Sequence, residues 1–196
     1  MAMPAQHRQA IVRAAVALFR KKGFAATGLA EILERSGAPK GSLYHYFPGG
    51  KAELGEAAVR QAGATVTHTL SRLRDEAPGA AELIRRYVDL LAMWMKKSNW
   101  RDGCPIVTTL LETAHDLAPV AAAGREALAD WAEVLAAALG SEGVDPARAR
   151  RLARFAISAL EGALVQAKVE RDEAALLEAR DELAALMADT VRAAKP

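Results

Sequence analysis

A chain of 196 residues is long enough for one large domain, or for a small domain fused to a larger one. Just over half of the residues are hydrophobic, many of them alanine, which favours helices, so we predict an all-α fold. The apolar runs are too short to span a membrane, the N-terminal segment lacks a signal-peptide core, and a single cysteine excludes an internal disulfide; we therefore expect a cytoplasmic protein.

Charge is distributed unevenly along the chain. Residues 1–50 carry seven lysines and arginines against two glutamates, a net charge of +5. Because the whole chain has a net charge of +2, the remaining 146 residues carry −3. A basic module on a mildly acidic body is expected of a nucleic-acid binder, since phosphate contacts dominate that affinity. A solvated charged surface would give the same numbers, so charge alone leaves both interpretations open.

The first predicted helix runs from about Ala5 to Lys22 and ends at Gly23. Its apolar residues recur at helical spacing and predict one buried stripe. The members of this stripe are Ile11, Ala14, Ala15, Leu18 and Phe19.

Residues 27–51 then predict two short helices joined by a turn at Gly37, the arrangement of a helix-turn-helix. Thr27 is placed to cap the first of these helices through its hydroxyl. The second spans about Lys40 to Phe47. The apolar stripes are Leu29, Ile32 and Leu33 on one helix and Leu43, Tyr44 and Phe47 on the other. Any small helical hairpin shares this spacing, so the pattern alone does not establish DNA binding.

The run KGSLYHYF at residues 40–47, with Thr27 before it and Lys51 after it, resembles the DNA-binding domain of TetR-family transcriptional regulators. The resemblance covers residues 7–55 and implies a set of DNA-contacting residues: Thr27, Lys40, Gly41, Ser42, Tyr44, His45, Tyr46 and Lys51. Core packing is the alternative for Tyr44. The hinge Gly49-Gly50 departs from the single small residue of many members and, with the run GCP at 103–105, is similar to the lincomycin-resistance-regulator branch.

Six further helices are predicted, at about residues 51–74, 80–97, 105–115, 118–140, 146–169 and 172–193. The third of these is expected to begin at Pro105. We expect a helix-turn-helix domain at residues 1–50 and a helical effector-binding and dimerisation domain at 51–196. In the helix at 80–97 the apolar stripe predicted to face inward is Leu83, Tyr87, Leu90, Leu91 and Trp94.

The resemblance implies that the larger domain binds a small-molecule effector of unknown identity. The candidate lining residues are apolar or aromatic with a few polar groups: Tyr87, Trp94, Met95, Trp100, Thr108, Leu111, Glu112, Trp131, Phe155 and Glu161. Ordinary core packing is the alternative for each of them. A buried Glu112 would indicate a cationic or hydrogen-bonding ligand, whereas an exposed one would remove that indication.

The last two predicted helices present apolar stripes that suit a homodimeric four-helix bundle. The candidate interface residues are Phe155, Ala159, Ala163, Leu183 and Met187. A buried face within one chain is the alternative, because a stripe does not reveal what covers it. Dimerisation also suits DNA reading, since two recognition helices on a twofold axis read half-sites about one helical turn apart.

Nothing in the sequence favours an enzyme, a metal site or a cofactor. The four histidines are scattered, Cys104 has no cysteine partner, and no phosphate-binding or nucleophile motif occurs. Catalysis would need a pair such as Cys104 and His115. We therefore predict a repressor that a small-molecule effector releases from a palindromic DNA operator. The alternative is a small-molecule-binding or interaction protein whose helix-turn-helix does not act on DNA.

Overall fold

The computed structural model describes residues 4–195, and over that range the chain is all-α, as predicted, with nine helices and no strand. The helices are α1 (Pro4–Lys22), α2 (Leu29–Ser36), α3 (Ser42–Tyr46), α4 (Gly50–Glu76), α5 (Ala80–Lys97), α6 (Val107–Thr113), α7 (Ala118–Ser141), α8 (Pro146–Glu170) and α9 (Ala174–Ala194).

Two helices are shorter than predicted. The helix α3 begins at Ser42 instead of Lys40, because the preceding residues form a turn in which the Ser42 N–H donates to the Pro39 carbonyl at 2.9 Å. The helix α6 begins at Val107 instead of Pro105 and ends at Thr113. The bounds of α5 are those predicted, and the other boundaries fall within two residues of the prediction.

The chain forms two compact units. The first comprises Met1–Thr65 with Cys104–Ala127, and the second comprises Val66–Gly103 with Leu128–Pro196. Because α4 and α7 each cross a boundary, both helices contribute residues to both units. These units are defined by packing, whereas the division at residue 50 is one of function and stays a prediction.

The core of the first unit is built on α1. The whole predicted stripe of this helix is buried, and Ile32 of α2, Leu43 of α3 and Leu54 of α4 pack against it. Burying a large aliphatic side chain contributes about 1.5–3 kcal/mol each. The two short helices α2 and α3 are therefore held by long-range packing, since helices of eight and five residues are not stable alone.

In the second unit, α9 packs against both α5 and α8. The stripe of α5 that faces inward is Leu83, Ile84, Tyr87, Val88, Leu91, Ala92 and Met95. The predicted inward position of Trp94 is wrong, because this residue is 39% exposed, whereas Leu90 is half-buried. At 3.6 residues per turn, Trp94 falls at the edge of the buried stripe.

Candidate nucleic-acid interface

The turn between α2 and α3 has the backbone geometry that a helix-turn-helix needs. Gly37 ends α2 in the left-handed conformation, with φ of 66°, and its N–H donates to the carbonyls of Leu33 and Glu34 at 3.1 and 3.3 Å. Glycine suits this position because other L-residues are strained at positive φ. Since Ile32 and Leu43 are buried on either side, the direction of α3 is set by the core.

Five of the predicted DNA-contacting residues lie at α3 with accessible polar groups. Lys40, Tyr44 and His45 are exposed, while Ser42 and Tyr46 are half-buried. Tyr44 is 65% exposed, so core packing is excluded for it. The sixth, Gly41, is exposed and adds no side chain to this surface. The ammonium of Lys40, just before this short helix, and the hydroxyl and imidazole groups on it are suited to phosphate oxygens and base edges.

The predicted helix cap at Thr27 is wrong. The N-cap of α2 is Gly28, and no side chain caps this helix. Thr27 is fully buried, and its hydroxyl donates to the Gly23 carbonyl at 2.7 Å. The side chain therefore braces the turn between α1 and α2, and its hydroxyl is directed into the protein.

Lys51 is half-buried near the start of α4. Its Nζ donates to the Ala25 carbonyl at 3.2 Å and lies 4.6 Å from the centroid of the Phe24 ring. Partial burial lowers the pKa of Lys51, and the nearby charge of Glu112 raises it by a smaller amount. The ammonium is thus engaged with the turn between α1 and α2.

The Gly49-Gly50 segment, predicted as a hinge, is tied by two hydrogen bonds. The Gly49 N–H donates to the Glu53 carboxylate and the Gly50 N–H donates to the Phe47 carbonyl, each at 2.8 Å. Gly50 has φ of 65°, which explains the glycine. The connection from α3 to α4 is therefore a structured turn.

The effector candidates of the first unit do not have the environments expected of a buried site. Leu111 is 81% exposed, and Thr108 is half-buried with its hydroxyl donating to the Cys104 carbonyl at 2.7 Å. Glu112 is exposed, and its Oε2 accepts a hydrogen bond from the Ala25 N–H at 2.5 Å. The indication of a cationic ligand at Glu112 is therefore removed.

The effector candidates of the second unit differ in exposure. Tyr87, Met95 and Trp131 are buried, as ordinary core residues would be. Trp100 and Glu161 are half-buried. Phe155 is 55% exposed on α8 and Trp94 on α5 is also exposed, so both have surface that another molecule could cover.

Three of the predicted dimer contacts belong to the core of the single chain. Leu183 and Met187 are buried because α9 packs against both α5 and α8. Ala163 is also buried, and Ala159 is half-buried. Of the predicted interface set, Phe155 alone is largely exposed.

Sequence reasoning missed the apolar residues that α8 does expose, Val165 and Val169. Their spacing from Phe155, 10 and 14 residues along the helix, could have revealed them. It also missed the contact of Glu112 with Ala25, which are 87 residues apart in the chain. No local pattern marks such a pair.

Among the described residues 4–195, no group of three or more histidine, cysteine, aspartate or glutamate side chains is placed to hold a metal ion. Cys104 is a half-buried free thiol. In the same part of the chain, no helix combines the length and apolarity needed to cross a lipid bilayer.

Comparison with known proteins decides the family. Residues 11–58 match the family of bacterial regulatory proteins called tetR, and residues 80–182 match the C-terminal domain of LmrA/YxaF-like transcriptional regulators. The chain belongs to the TetR family. It is a DNA-binding transcriptional regulator, and the resemblance found in the sequence is confirmed. The family consists of transcriptional regulators, which are not enzymes.

Several relatives have similar lengths and architecture. An HTH-type transcriptional regulator of Mycobacterium tuberculosis is 36% identical over 84% of this TetR-family chain and 86% of its own. The HTH-type transcriptional regulator LmrA of Bacillus subtilis is 30% identical over 87% of this chain and 90% of its own. The crystal structure of a regulatory protein TetR from Rhodobacter sphaeroides has a TM-score of 0.78 and 25% identity, covering 90% of this chain and 96% of its own.

Proposed function

We propose that this TetR-family regulator is a homodimeric repressor that binds a palindromic operator and is released from it by a small-molecule effector. The observation that supports the DNA-reading surface most directly is the geometry of α3 and the turn before it, where Leu43 is buried and Lys40, Tyr44 and His45 are exposed. Because the proposed target is DNA, we place the protein in the cytoplasm.

Within this proposal the residues of α3 and of the turn before it have different chemical roles. Lys40, His45 and Tyr46 carry donors for phosphate oxygens, which position the protein on the duplex. Ser42 and the exposed ring of Tyr44 supply a hydroxyl and an apolar face for base edges and thymine methyl groups. Gly41 lets the backbone approach closely. Thr27 is left out of the contact set because its hydroxyl is buried.

Homodimerisation through α8 and α9 is supported by the surface that α8 exposes. Three large apolar residues of α8 are more than half exposed to solvent in the single chain: Phe155, Val165 and Val169. Small residues of α8 and α9 also line an open groove of about 410 Å³: Ser158, Ala159, Gly162, Ala163, Ala175 and Ala179. A second copy related by a twofold axis would bury the same patch on both chains, which is how isologous dimers form.

Relief of repression requires an effector that binds the two conformations with different affinity. Of the ten candidate residues, Trp94 and Phe155 have exposed aromatic surface, whereas Tyr87 and Trp131 are buried. The effector-binding role of these residues stays a proposal. Its natural readout is the loss of operator binding on addition of a small molecule.

The test is binding of the protein to the DNA upstream of its own gene, measured by fluorescence anisotropy across a salt series. We expect Lys40→Ala to weaken binding and to reduce the slope of log affinity against log salt by about 1, since one phosphate contact is lost. Tyr44→Ala should lower affinity and relax sequence preference.

Glu126→Gln, an exposed carboxylate on α7, is the matched control that should leave binding unchanged. Equal affinity of wild type, Lys40→Ala and Tyr44→Ala would refute the proposed DNA surface. Failure of the wild type to bind would favour the alternative of a small-molecule-binding protein that does not act on DNA.

A further inference from the structure

The turn that joins α1 to α2 accommodates a carboxylate from α6. The Ala25 N–H donates to Oε2 of Glu112 at 2.5 Å. Gly23 precedes it with φ of 85°, and a Cβ atom at this glycine would overlap Oε1 of the same carboxylate. The space that a side chain at residue 23 would fill is thus occupied by Glu112.

The same residue, Ala25, is held from a second helix. Its carbonyl accepts a hydrogen bond from Nζ of Lys51 on α4 at 3.2 Å. The ammonium also lies over the face of the Phe24 ring, a favourable position for a cation. Both backbone polar groups of one residue are therefore bound by side chains of opposite charge, Glu112 and Lys51.

Hydrogen bonds within the turn connect Ala25 to the start of the helix-turn-helix. The Thr27 N–H donates to the Phe24 carbonyl at 3.2 Å, and the Thr27 hydroxyl donates to the Gly23 carbonyl. One residue later, Gly28 caps α2. Since residues 23–27 are internally bonded, fixing Ala25 also fixes the start of α2.

Ordinary exposed ion pairs contribute little, because they gain a modest Coulomb energy and order two long side chains. Here the two charges bind backbone groups, so each contact depends on where α6 and α4 lie. Charge-assisted hydrogen bonds of this kind are stronger than neutral ones. The conformation of the turn therefore depends on the positions of α4 and α6.

We propose that Glu112 and Lys51 form a clamp on Ala25 that positions the helix-turn-helix, so that loss of the Glu112 contact loosens the turn and lowers DNA affinity. The effect on DNA rests on the function proposed above; the clamp itself does not. A loosened turn lowers affinity because α2 must then become ordered when DNA binds, and this ordering reduces the net free energy of binding.

The clamp is tested first without DNA, by amide hydrogen exchange at Ala25 in the full-length protein. We expect Glu112→Ala to accelerate exchange of this amide about tenfold or more, because a charge-assisted hydrogen bond is lost. Glu112→Gln keeps a neutral acceptor and should give an intermediate rate. Glu126→Gln, the matched exposed carboxylate, should leave the rate unchanged.

Coupling between the two charges is tested by combining Glu112→Ala with Lys51→Met. If they act as one clamp, the double variant should exchange no faster at Ala25 than the faster single variant. Independent, multiplying effects would overturn the clamp. An Ala25 amide that stays as protected in Glu112→Ala as in the wild type would also overturn it.

The effect on DNA is tested by the affinity of Glu112→Ala for the upstream DNA, which we expect to fall by about threefold to tenfold. Val120→Ala, a buried truncation of α7, is the stability control: it should lower the melting temperature while leaving DNA affinity unchanged. Rescue of affinity by Glu112→Gln would support the role of the hydrogen bond.

Faster exchange at Ala25 with unchanged DNA affinity would overturn the positioning role. If the wild type does not bind DNA at all, the proposed function fails, while the exchange rate still decides the clamp.

Discussion

Replacing Phe155 by serine should separate the two protomers while leaving each one folded. The side chain is 55% exposed, so about half of it is available to a partner. Full burial of a phenylalanine contributes about 1.5–3 kcal/mol, so covering the exposed half contributes ~1–1.5 kcal/mol per protomer. Because a twofold axis places Phe155 of both protomers in the interface, the total is ~2–3 kcal/mol for the dimer.

This free energy corresponds to a dimer dissociation constant raised about 30- to 150-fold. Sedimentation velocity over a range of protein concentrations measures it directly. Leu111→Ser is the matched control, because Leu111 is an exposed apolar residue of α6 outside the proposed interface. If Phe155→Ser dimerises as tightly as the wild type and Leu111→Ser does too, the interface does not include this face of α8. A monomer produced by Leu111→Ser would refute the assignment more strongly.

Three stability predictions are checked by urea unfolding. Gly37→Ala should destabilise the protein by about 1 kcal/mol, since alanine is strained at positive φ. Gly140 lies in the last turn of α7 with open space around it, so Gly140→Ala should be neutral or should stabilise the protein by up to about 1 kcal/mol. The reverse order of the two would contradict the backbone argument. Ile32→Ala should cost about 2–5 kcal/mol because Ile32 is fully buried, and a loss below 1 kcal/mol would show that the site collapses around the cavity. Asp145→Ala should cost about 1 kcal/mol, because the Asp145 carboxylate accepts the Arg148 N–H at 3.0 Å as the cap of α8; an unchanged unfolding midpoint would exclude that role.

The features predicted from sequence are those set by local periodicity. The bounds of α5 and the buried stripe of α1 follow from spacing along one helix, and the structure has both. The prediction that Leu183 and Met187 lie in the dimer interface was less successful, because an apolar stripe indicates that a surface is covered but not which surface covers it. In the structure those residues are covered within their own chain.

Side-chain direction at a turn was the second source of error. Thr27 precedes a helix and carries a hydroxyl, which is the usual description of an N-cap, yet its bond to the Gly23 carbonyl turns it inward. That bond depends on how the end of α1 meets the turn, a tertiary feature. Glu112 illustrates the same limit, since its partner Ala25 lies in a different part of the chain.

The bonded turn at Gly49-Gly50 has a practical consequence for engineering. Removing one glycine would advance every residue of α4 by one position, a rotation of ~100° about the helix axis. Leu54, which is fully buried, would then leave the core that it shares with α1. Chimeric regulators that exchange DNA-reading modules with relatives of different spacing at this turn should therefore be joined within α4, beyond Leu54, so that each module keeps its own turn length.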